Sequence, residues 1–484
     1  MNQFTAGKHH DLLIDGQRVP AASGRYFETR DPSTEEVIAL VAEADAADVD
    51  AAVRSARAAF EGTWGQMRPA DRGLALLRLA EFVRRDQEEL VELESLDSGK
   101  PVSAVRRQDL PAVIDTLIYY AGWADKISGQ VIPARTDALT YTVREPMGVV
   151  GAIIPWNFPL MIGMWKIAPA LACGCTVVLK PAELTPLTAL KIGELALEAG
   201  IPAGVLNVVP GFGKTAGQAI VDHPDIDKVT FTGSPGVWRQ ILQGAAGNLK
   251  RVTLELGGKS ANVIFPDADL DSAVKAAGSG IFFNTGQVCS AGSRILAHRS
   301  IYDEVVERLV ARAQGVRLGD PRDSGTSMGP LISGTQMERV LNYIEIGRNE
   351  GARIAVGGAR HGDRGYYVAP TVFAGVEHEM RISQEEIFGP VAAVIPFEDE
   401  DDAVRLANGT SYSLAAGVWS ADITLGHRMT RRLKAGTVWV NTYGPTDVRL
   451  PWGGMRDSGY GREHGDIAIE NFTEPKVVWI NTGR

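Results

Sequence analysis

Apolar residues recur at helical spacing over residues 47–60, where Val49, Ala52, Val53, Ala56 and Phe60 share one face. The same period runs over 70–98 through Leu74, Leu77, Phe82, Leu90 and Leu93, until Gly99-Lys100-Pro101 stops it. Another helix is expected over 112–125. From Val149 onward the pattern changes. Short, nearly all-apolar strands at 149–155, 176–181, 205–210, 228–232 and 252–256 alternate with helices at 161–173, 187–199, 215–222 and 236–246. Apolar strands joined by helices make a parallel sheet covered on both faces, the Rossmann-like architecture that holds dinucleotides. A second α/β series follows over 261–440, with helices at 301–314 and 335–350. Extended segments at 139–144 and 477–480 fit neither series.

With 484 residues the chain should divide into two or three packed domains. Its 45% apolar and 22% charged composition is that of an ordinary globular protein. The net charge is −10 and no stripe of Lys or Arg is present, which argues against nucleic acid and anionic membrane as partners. The most apolar stretch, 149–178, is broken by Pro155, Pro159 and Pro169, so it is not a membrane span. Three cysteines without metal spacing imply a reducing compartment, with no disulfide framework and no metal site. The only adjacent histidines, His9-His10, fall in a start that reads as disordered. The polar opening MNQFTAGKHH carries no signal peptide, so the expected location is cytoplasmic.

Candidate chemistry centres on Phe282-Phe283-Asn284-Thr285-Gly286-Gln287-Val288-Cys289-Ser290-Ala291-Gly292. Glycines on both sides of Cys289 allow close backbone approach, and a nearby helix start would lower the thiol pKa. Cys173 and Cys175 read instead as small core residues. From spacing alone, Cys289 fits either use. Glu255 ends an apolar strand before Gly257-Gly258, where burial would raise its pKa toward that of a general base; pairing with Lys259 or Arg251 is the alternative. In Pro155-Trp156-Asn157-Phe158-Pro159, two prolines stiffen the turn around Asn157, whose amide could serve an oxyanion or cap the next helix. Lys180 and Glu183 follow the second strand, where nucleotides bind in such sheets, although a solvated pair is equally ordinary. The glycines Gly211, Gly213 and Gly217 read GxGxxxG, one residue longer than the dinucleotide fingerprint. Phe231-Thr232-Gly233-Ser234, opening a helix, is the better phosphate candidate.

The Cys289 segment and Val252-Thr253-Leu254-Glu255-Leu256-Gly257-Gly258-Lys259, joined by Glu385-Glu386-Ile387-Phe388-Gly389-Pro390, resemble the aldehyde dehydrogenase superfamily from about residue 12 to the C-terminus. The resemblance implies that Cys289 is the nucleophile, Glu255 the base for thioester hydrolysis, and Asn157 an oxyanion donor. It implies NAD, favoured over NADP by the charge on Glu183, held by Ile154, Pro155, Trp156, Lys180, Glu183, Gly213, Gly217, Phe231, Gly233, Ser234, Val237, Leu256, Glu386 and Phe388. Trp238 stands where the family usually has a small residue, and Pro235-Gly236 where it has Thr-Glu. The implied substrate tunnel comprises Phe158, Ile162, Trp165, Phe283, Val288, Ser290 and Trp452, apolar enough for a medium-sized aliphatic or aromatic aldehyde. Phe158, Trp165, Phe283 and Trp452 also resemble the aromatic box of betaine-aldehyde dehydrogenases, which attracts ammonium groups. An inward-pointing Arg449 would suit an acidic semialdehyde. The expected division is 1–121 with 146–256 for NAD binding, 257–456 for catalysis, and 122–145 with 457–484 for a small β element joining subunits of a homodimer or homotetramer. A coenzyme A-acylating enzyme and a non-enzymatic scaffold are the rivals; Glu255 argues against the first and the intact motif residues against the second.

Overall fold

The computed structural model describes residues 9–483. Its first sheet has eight strands, and its centre is built from the runs expected to be strands: Arg251–Glu255, Lys228–Thr232, Val149–Ile153, Thr176–Lys180 and Leu206–Val208, in that spatial order and all parallel. Chain order reverses between Val149–Ile153 and Lys228–Thr232. Loops leaving the carboxyl ends of those two strands therefore diverge and open a crevice. Helices Pro159–Cys173, Leu187–Glu198 and Ala46–Glu61 cover the sheet. The second sheet has seven strands, ordered Arg353–Val356, Thr371–Ala374, Val391–Phe397, Arg294–His298, Ala261–Ile264, Ala415–Trp419 and Thr437–Val440. Only the first of these is antiparallel. The segments expected to be extended pair with each other as an antiparallel ribbon, Ala138–Pro146 against Thr473–Asn481.

Several local expectations need correction. The pattern over 70–98 is two helices, Pro69–Arg85 and Gln87–Ser98, broken at Asp86. The first buries Ala75, Leu76, Leu79, Ala80 and Val83, while Leu74 and Leu77 face solvent. Several faces of that helix carry apolar residues, so periodicity alone misassigned the buried one. On helix Ala46–Glu61, Ala59 is buried where Phe60 was expected. His9–His10 is not disordered; it forms a strand paired with Leu40 and Val41 in a three-stranded sheet that the sequence pattern did not reveal. The opening residues before His9, read as free of a signal peptide, lie outside the described residues. Gly459–Tyr460, grouped with the ribbon by sequence, instead pairs with Leu254 and Glu255 at the edge of the first sheet. Among the described residues, no helix is long and apolar enough to cross a membrane, and no cluster of three or more His, Cys, Asp or Glu side chains is disposed to hold a metal ion.

Buried charges fix the start of helix Pro159–Cys173, which carries the pocket wall. Its own N-cap, Phe158, supplies no side-chain hydrogen bond. Glu94 substitutes from a neighbouring helix, accepting the Leu160 N–H at 3.2 Å and the Thr188 hydroxyl at 2.7 Å. Burial pushes the Glu94 carboxyl up to about 7, with Lys100 opposing. Lys100 is itself fully buried, paired with Asp109, and lies 3.8 Å from the centre of the Phe158 ring. Removing one member of a buried pair strands the other charge. Asp109→Ala should therefore cost about 3–5 kcal/mol, read as a lower urea midpoint; an unchanged midpoint would show that Lys100 needs no partner.

Candidate active site

Every loop preceding a parallel strand of the second sheet lies at the same end of that sheet. Three of them, residues 257–260, 287–293 and 385–390, lead into Ala261–Ile264, Arg294–His298 and Val391–Phe397. That end meets the carboxyl end of Arg251–Glu255. The two glycines after Glu255 make the approach close. A Cβ on Gly258 would stand 2.4 Å from the Cys289 carbonyl oxygen, and one on Gly257 would stand 2.2 Å from Glu386 Oε2. Neither has a positive φ; space requires glycine at 258, where the atom met is backbone, while a side chain at 257 would displace the Glu386 carboxylate.

Cys289 is partly exposed, in a turn after the 3-10 helix Phe283–Gly286. No helix starts there, contrary to expectation. Burial pushes its thiol up to about 12, and the Glu386 and Glu255 carboxylates add to the rise; the N–H groups of Ser290 and Cys289 oppose it. The expected depression is absent because burial outweighs the two N–H groups, with Glu386 and Glu255 adding to it. The turn is held in a rare conformation, with Asn284, Thr285 and Gly286 all left-handed at φ 46°, 57° and 70°. Such strain costs on the order of 1–2 kcal/mol at each non-glycine residue. Its surroundings hold it: the Thr285 hydroxyl donates to Gly329 O at 3.0 Å, Gln287 Oε1 accepts the Ile332 N–H at 2.9 Å, and a Cβ on Gly286 would overlap Gly389 O.

Asn157 does not cap the helix. Its Nδ2 donates to Gln287 O at 2.9 Å, two residues before the cysteine, while Asn284 Nδ2 donates to Asn157 O at 3.0 Å. An amide nitrogen carries two hydrogens, so one remains for a ligand. Glu255 is buried and Oε1 has no partner. Neither proposed pairing forms: Arg251 binds Glu474, and Lys259 Nζ is itself unpartnered. Burial and the nearby Glu463 hold the Glu255 carboxyl well above the usual range, against Lys166 and Arg462. Glu386 Oε1 accepts the Gly258 N–H at 3.0 Å, and burial lifts that carboxyl to about 7. Phe388, left-handed at φ 60°, meets Trp156 edge-on with ring centres 5.2 Å apart.

The remaining cofactor candidates lie at or after the carboxyl ends of the first-sheet strands. Ile154 is buried and donates its N–H to Lys180 O at 3.1 Å; Pro155 is partly buried beside it. Lys180 is not a solvated residue: it is buried, donates to Pro181 O at 2.9 Å and meets Glu183 at 3.4 Å. Gly217 lies against the Lys180 stem, and Gly213 faces open space. Gly233 covers Phe231 so closely that a Cβ would stand 2.5 Å from the ring. Ser234 does not open the helix directly; a 3-10 turn, Pro235–Val237, precedes helix Trp238–Ala245. Trp238 packs toward the core and carries the Arg239 guanidinium 4.6 Å from its ring centre. Leu256 is buried, its N–H donating to Ser458 O at 3.1 Å. The Thr232 hydroxyl is buried and unpartnered. This orphan hydroxyl, the Lys180–Glu183 pair and the open glycine turn all lie at strand carboxyl ends, and they fit a dinucleotide.

All of the expected tunnel residues but Ser290 belong to, or pack against, the apolar cluster that Cys289 also meets. Phe158 and Phe283 are 6.2 Å apart by ring centres, as Trp165 and Trp452 are at 6.3 Å. Ile162 is buried with them, and Phe283, Val288 and Cys289 pack against the same apolar cluster. Arg449 does not point inward; it is mostly exposed and grips Asp447, at 2.8 Å from Nε. Sequence reading missed two supports. Gln287 forms the hydrogen bonds given above, and Tyr443 donates to Ser290 O at 2.7 Å. Gly280, Gly292 and Gly417 leave room for the Tyr443 ring. Those scattered glycines were its only trace in the sequence.

A profile described as the aldehyde dehydrogenase family matches residues 19–478. An aldehyde dehydrogenase of Aspergillus niger is 52% identical over 473 residues, covering 98% of this chain and 95% of that protein. The NAD+ complex of an aldehyde dehydrogenase from Bacillus cereus superposes with a TM-score of 0.97 at 51% identity, covering 98% of this chain and 97% of that one. An indole-3-acetaldehyde dehydrogenase with NAD+ gives 0.96 at 45% identity, covering 98% and 96%.

Proposed function

The chain belongs to the aldehyde dehydrogenase family, and on that footing we propose that Cys289, Glu255 and Asn157 oxidise a medium-sized apolar aldehyde to its acid with NAD and water. The observation that carries the assignment is the meeting of thiol, unpartnered carboxylate and amide across Gly257-Gly258. Cys289 Sγ attacks the carbonyl carbon and its proton passes to a neighbouring carboxylate. The free Nδ2 hydrogen of Asn157 and the Cys289 N–H receive the oxyanion. NAD, when bound, accepts the hydride. Glu255 then takes a proton from water, which attacks the thioester and releases the acid. Glu386 and Phe388 would hold the nicotinamide end, Lys180 and Glu183 the adenosine ribose. Glu255 also disfavours coenzyme A as the acyl acceptor, and the intact set disfavours a scaffold.

An aromatic or aliphatic aldehyde suits the ring-lined tunnel, and the indole-3-acetaldehyde enzyme among the relatives is consistent with that class. The aromatic box is the weaker reading because Lys100 already occupies one face of Phe158. An acidic semialdehyde has lost its cation, since Arg449 is committed to Asp447. NADH formation over neutral, cationic and anionic aldehydes, without coenzyme A, tests the whole assignment. Failure of every neutral member would reject it.

Glu183 would repel a 2′-phosphate. Glu183→Ser should raise kcat/KM with NADP relative to NAD by about ten-fold, the equivalent of roughly 1.4 kcal/mol; an unmoved ratio would place cofactor choice elsewhere. Subunit pairing is assigned to the ribbon, whose Leu139, Val477, Trp479 and Ile480 leave apolar surface exposed.

A further inference from the structure

Tyr443 belongs to none of the motifs that carry the reaction, yet its hydroxyl donates to Ser290 O at 2.7 Å, one residue after Cys289. It lies just beyond Thr437–Val440, the edge strand of the second sheet. The chain turns at Asn441, left-handed at φ 54°, a conformation asparagine tolerates better than most side chains. Two reciprocal hydrogen bonds hold that turn: Asn441 Nδ2 donates to Ser420 O at 2.9 Å, and Oδ1 accepts the Ser420 N–H at 3.0 Å. The Tyr443 ring then packs on Trp439, with ring centres 4.8 Å apart, and Trp439 Nε1 donates to Pro445 O at 3.0 Å.

Three glycines from separate parts of the chain leave the ring its space. A Cβ on Gly280, in helix Leu270–Phe282, would stand 3.0 Å from Tyr443 Cδ1. One on Gly292 would stand 3.0 Å from Cζ, and one on Gly417, in strand Ala415–Trp419, 2.6 Å from Cδ2. None of the three has a positive φ, so room for the ring is what glycine supplies there. Burial raises the phenol above its ordinary value, and it stays a donor at any working pH.

The turn that Tyr443 grips is pinned on both sides of the sulfur. Before it, Gln287 O accepts Asn157 Nδ2 at 2.9 Å. After it, Ser290 O accepts the Tyr443 hydroxyl, and the Ala291 N–H returns to Val288 O at 3.0 Å. Between the pins, the Ser290 and Cys289 N–H groups face the sulfur. Burial, then Glu386 and Glu255, resist loss of the thiol proton, and these two N–H groups oppose them. A carbonyl fixed at Ser290 leaves the adjoining peptides little freedom to turn those groups away. We infer that Tyr443 is a positioning residue for the nucleophile: acting through Ser290, it holds the Cys289 turn so that both N–H groups stay on the sulfur. The inference rests on the assignment of Cys289 proposed above and adds a residue outside the thiol, carboxylate and amide set.

The test is Tyr443→Phe, which keeps the ring and removes the hydroxyl. At pH 8, iodoacetamide should alkylate Cys289 in the variant about five- to ten-fold more slowly per site than in the wild type, the worth of one hydrogen bond. The NADH burst with phenylacetaldehyde at saturating NAD should slow by a similar factor, while the Kd for NAD stays within about two-fold. If Tyr443→Phe does not fold, Gly280→Ala decides: it crowds the ring from a helix that favours alanine, and it should slow alkylation in the same direction. A purely structural role would lower the thermal midpoint and the fraction of active sites but leave the rate at each surviving site unchanged. That result, or wild-type rates in the deciding variant, overturns the inference while the nucleophile assignment stands. A wild type that is neither labelled at Cys289 nor able to form NADH removes both.

Discussion

Cys289→Ala should abolish aldehyde oxidation, lowering kcat/KM by at least about 10⁴-fold, because no other group can form the covalent intermediate. Cys173 and Cys175 do not substitute. Both are buried in the first core, and burial raises both thiols. NAD affinity should survive, since Cys289 is not among the cofactor candidates, so equilibrium binding separates lost chemistry from lost structure. Iodoacetamide should label the wild type at Cys289 and leave Cys289→Ala unlabelled there. Retained turnover in the alanine variant would mean that the carbonyl is attacked by something other than this sulfur. Attack also has a pH signature. The thiol lies far above neutrality, pushed up by burial and by Glu386 and Glu255, and the reactive form is deprotonated. Acylation should therefore accelerate as pH rises from about 6 to 9, by at most about ten-fold per unit.

Much of this site was legible before folding, for a physical reason. The first-sheet strands are short and apolar throughout, and the helices between them are amphipathic, so each boundary falls where the period changes. Residues at carboxyl ends of such strands, including Glu255, Lys180 and Asn157, inherit their positions from the topology. The antiparallel partnership of Ala138–Pro146 with Thr473–Asn481 was legible only as two leftovers, because nothing local states which distant strand will pair. Helix Pro69–Arg85 misled because the apolar residues at Leu74 and Leu77 are exposed on the monomer. Gln287 and Tyr443 were invisible for a different reason. Each acts through a contact more than forty residues away in sequence, with Ile332 and Ser290, and no periodicity encodes that. The charge state of Cys289 was misjudged because sequence names the glycines around it but neither the burial of the thiol nor the carboxyl groups that folding brings near.

Glu255→Gln should separate the two halves of the reaction. Acylation needs the thiol, the oxyanion donors and NAD, and these remain. Deacylation needs a base for water, and an amide cannot supply one. The variant should release a rapid burst of about one NADH per active site, then turn over slower by roughly 10²–10⁴-fold, the usual worth of a positioned base. The substitution is nearly isosteric, and Glu255 Oε1 makes no hydrogen bond to lose. Gly453 already lies against that oxygen, where a Cβ would stand 2.5 Å away, so the amide fits the same space. The wild-type carboxyl sits well above the ordinary range through burial and the nearby Glu463. Because the working form is the carboxylate, the raised pKa means that falling pH removes it earlier than an ordinary glutamate, and wild-type deacylation should slow on acidification. The glutamine variant has no such group, so its residual deacylation should lose that dependence. A variant with full steady-state turnover, or with neither burst nor turnover, would require another base or a first-half role for this carboxylate.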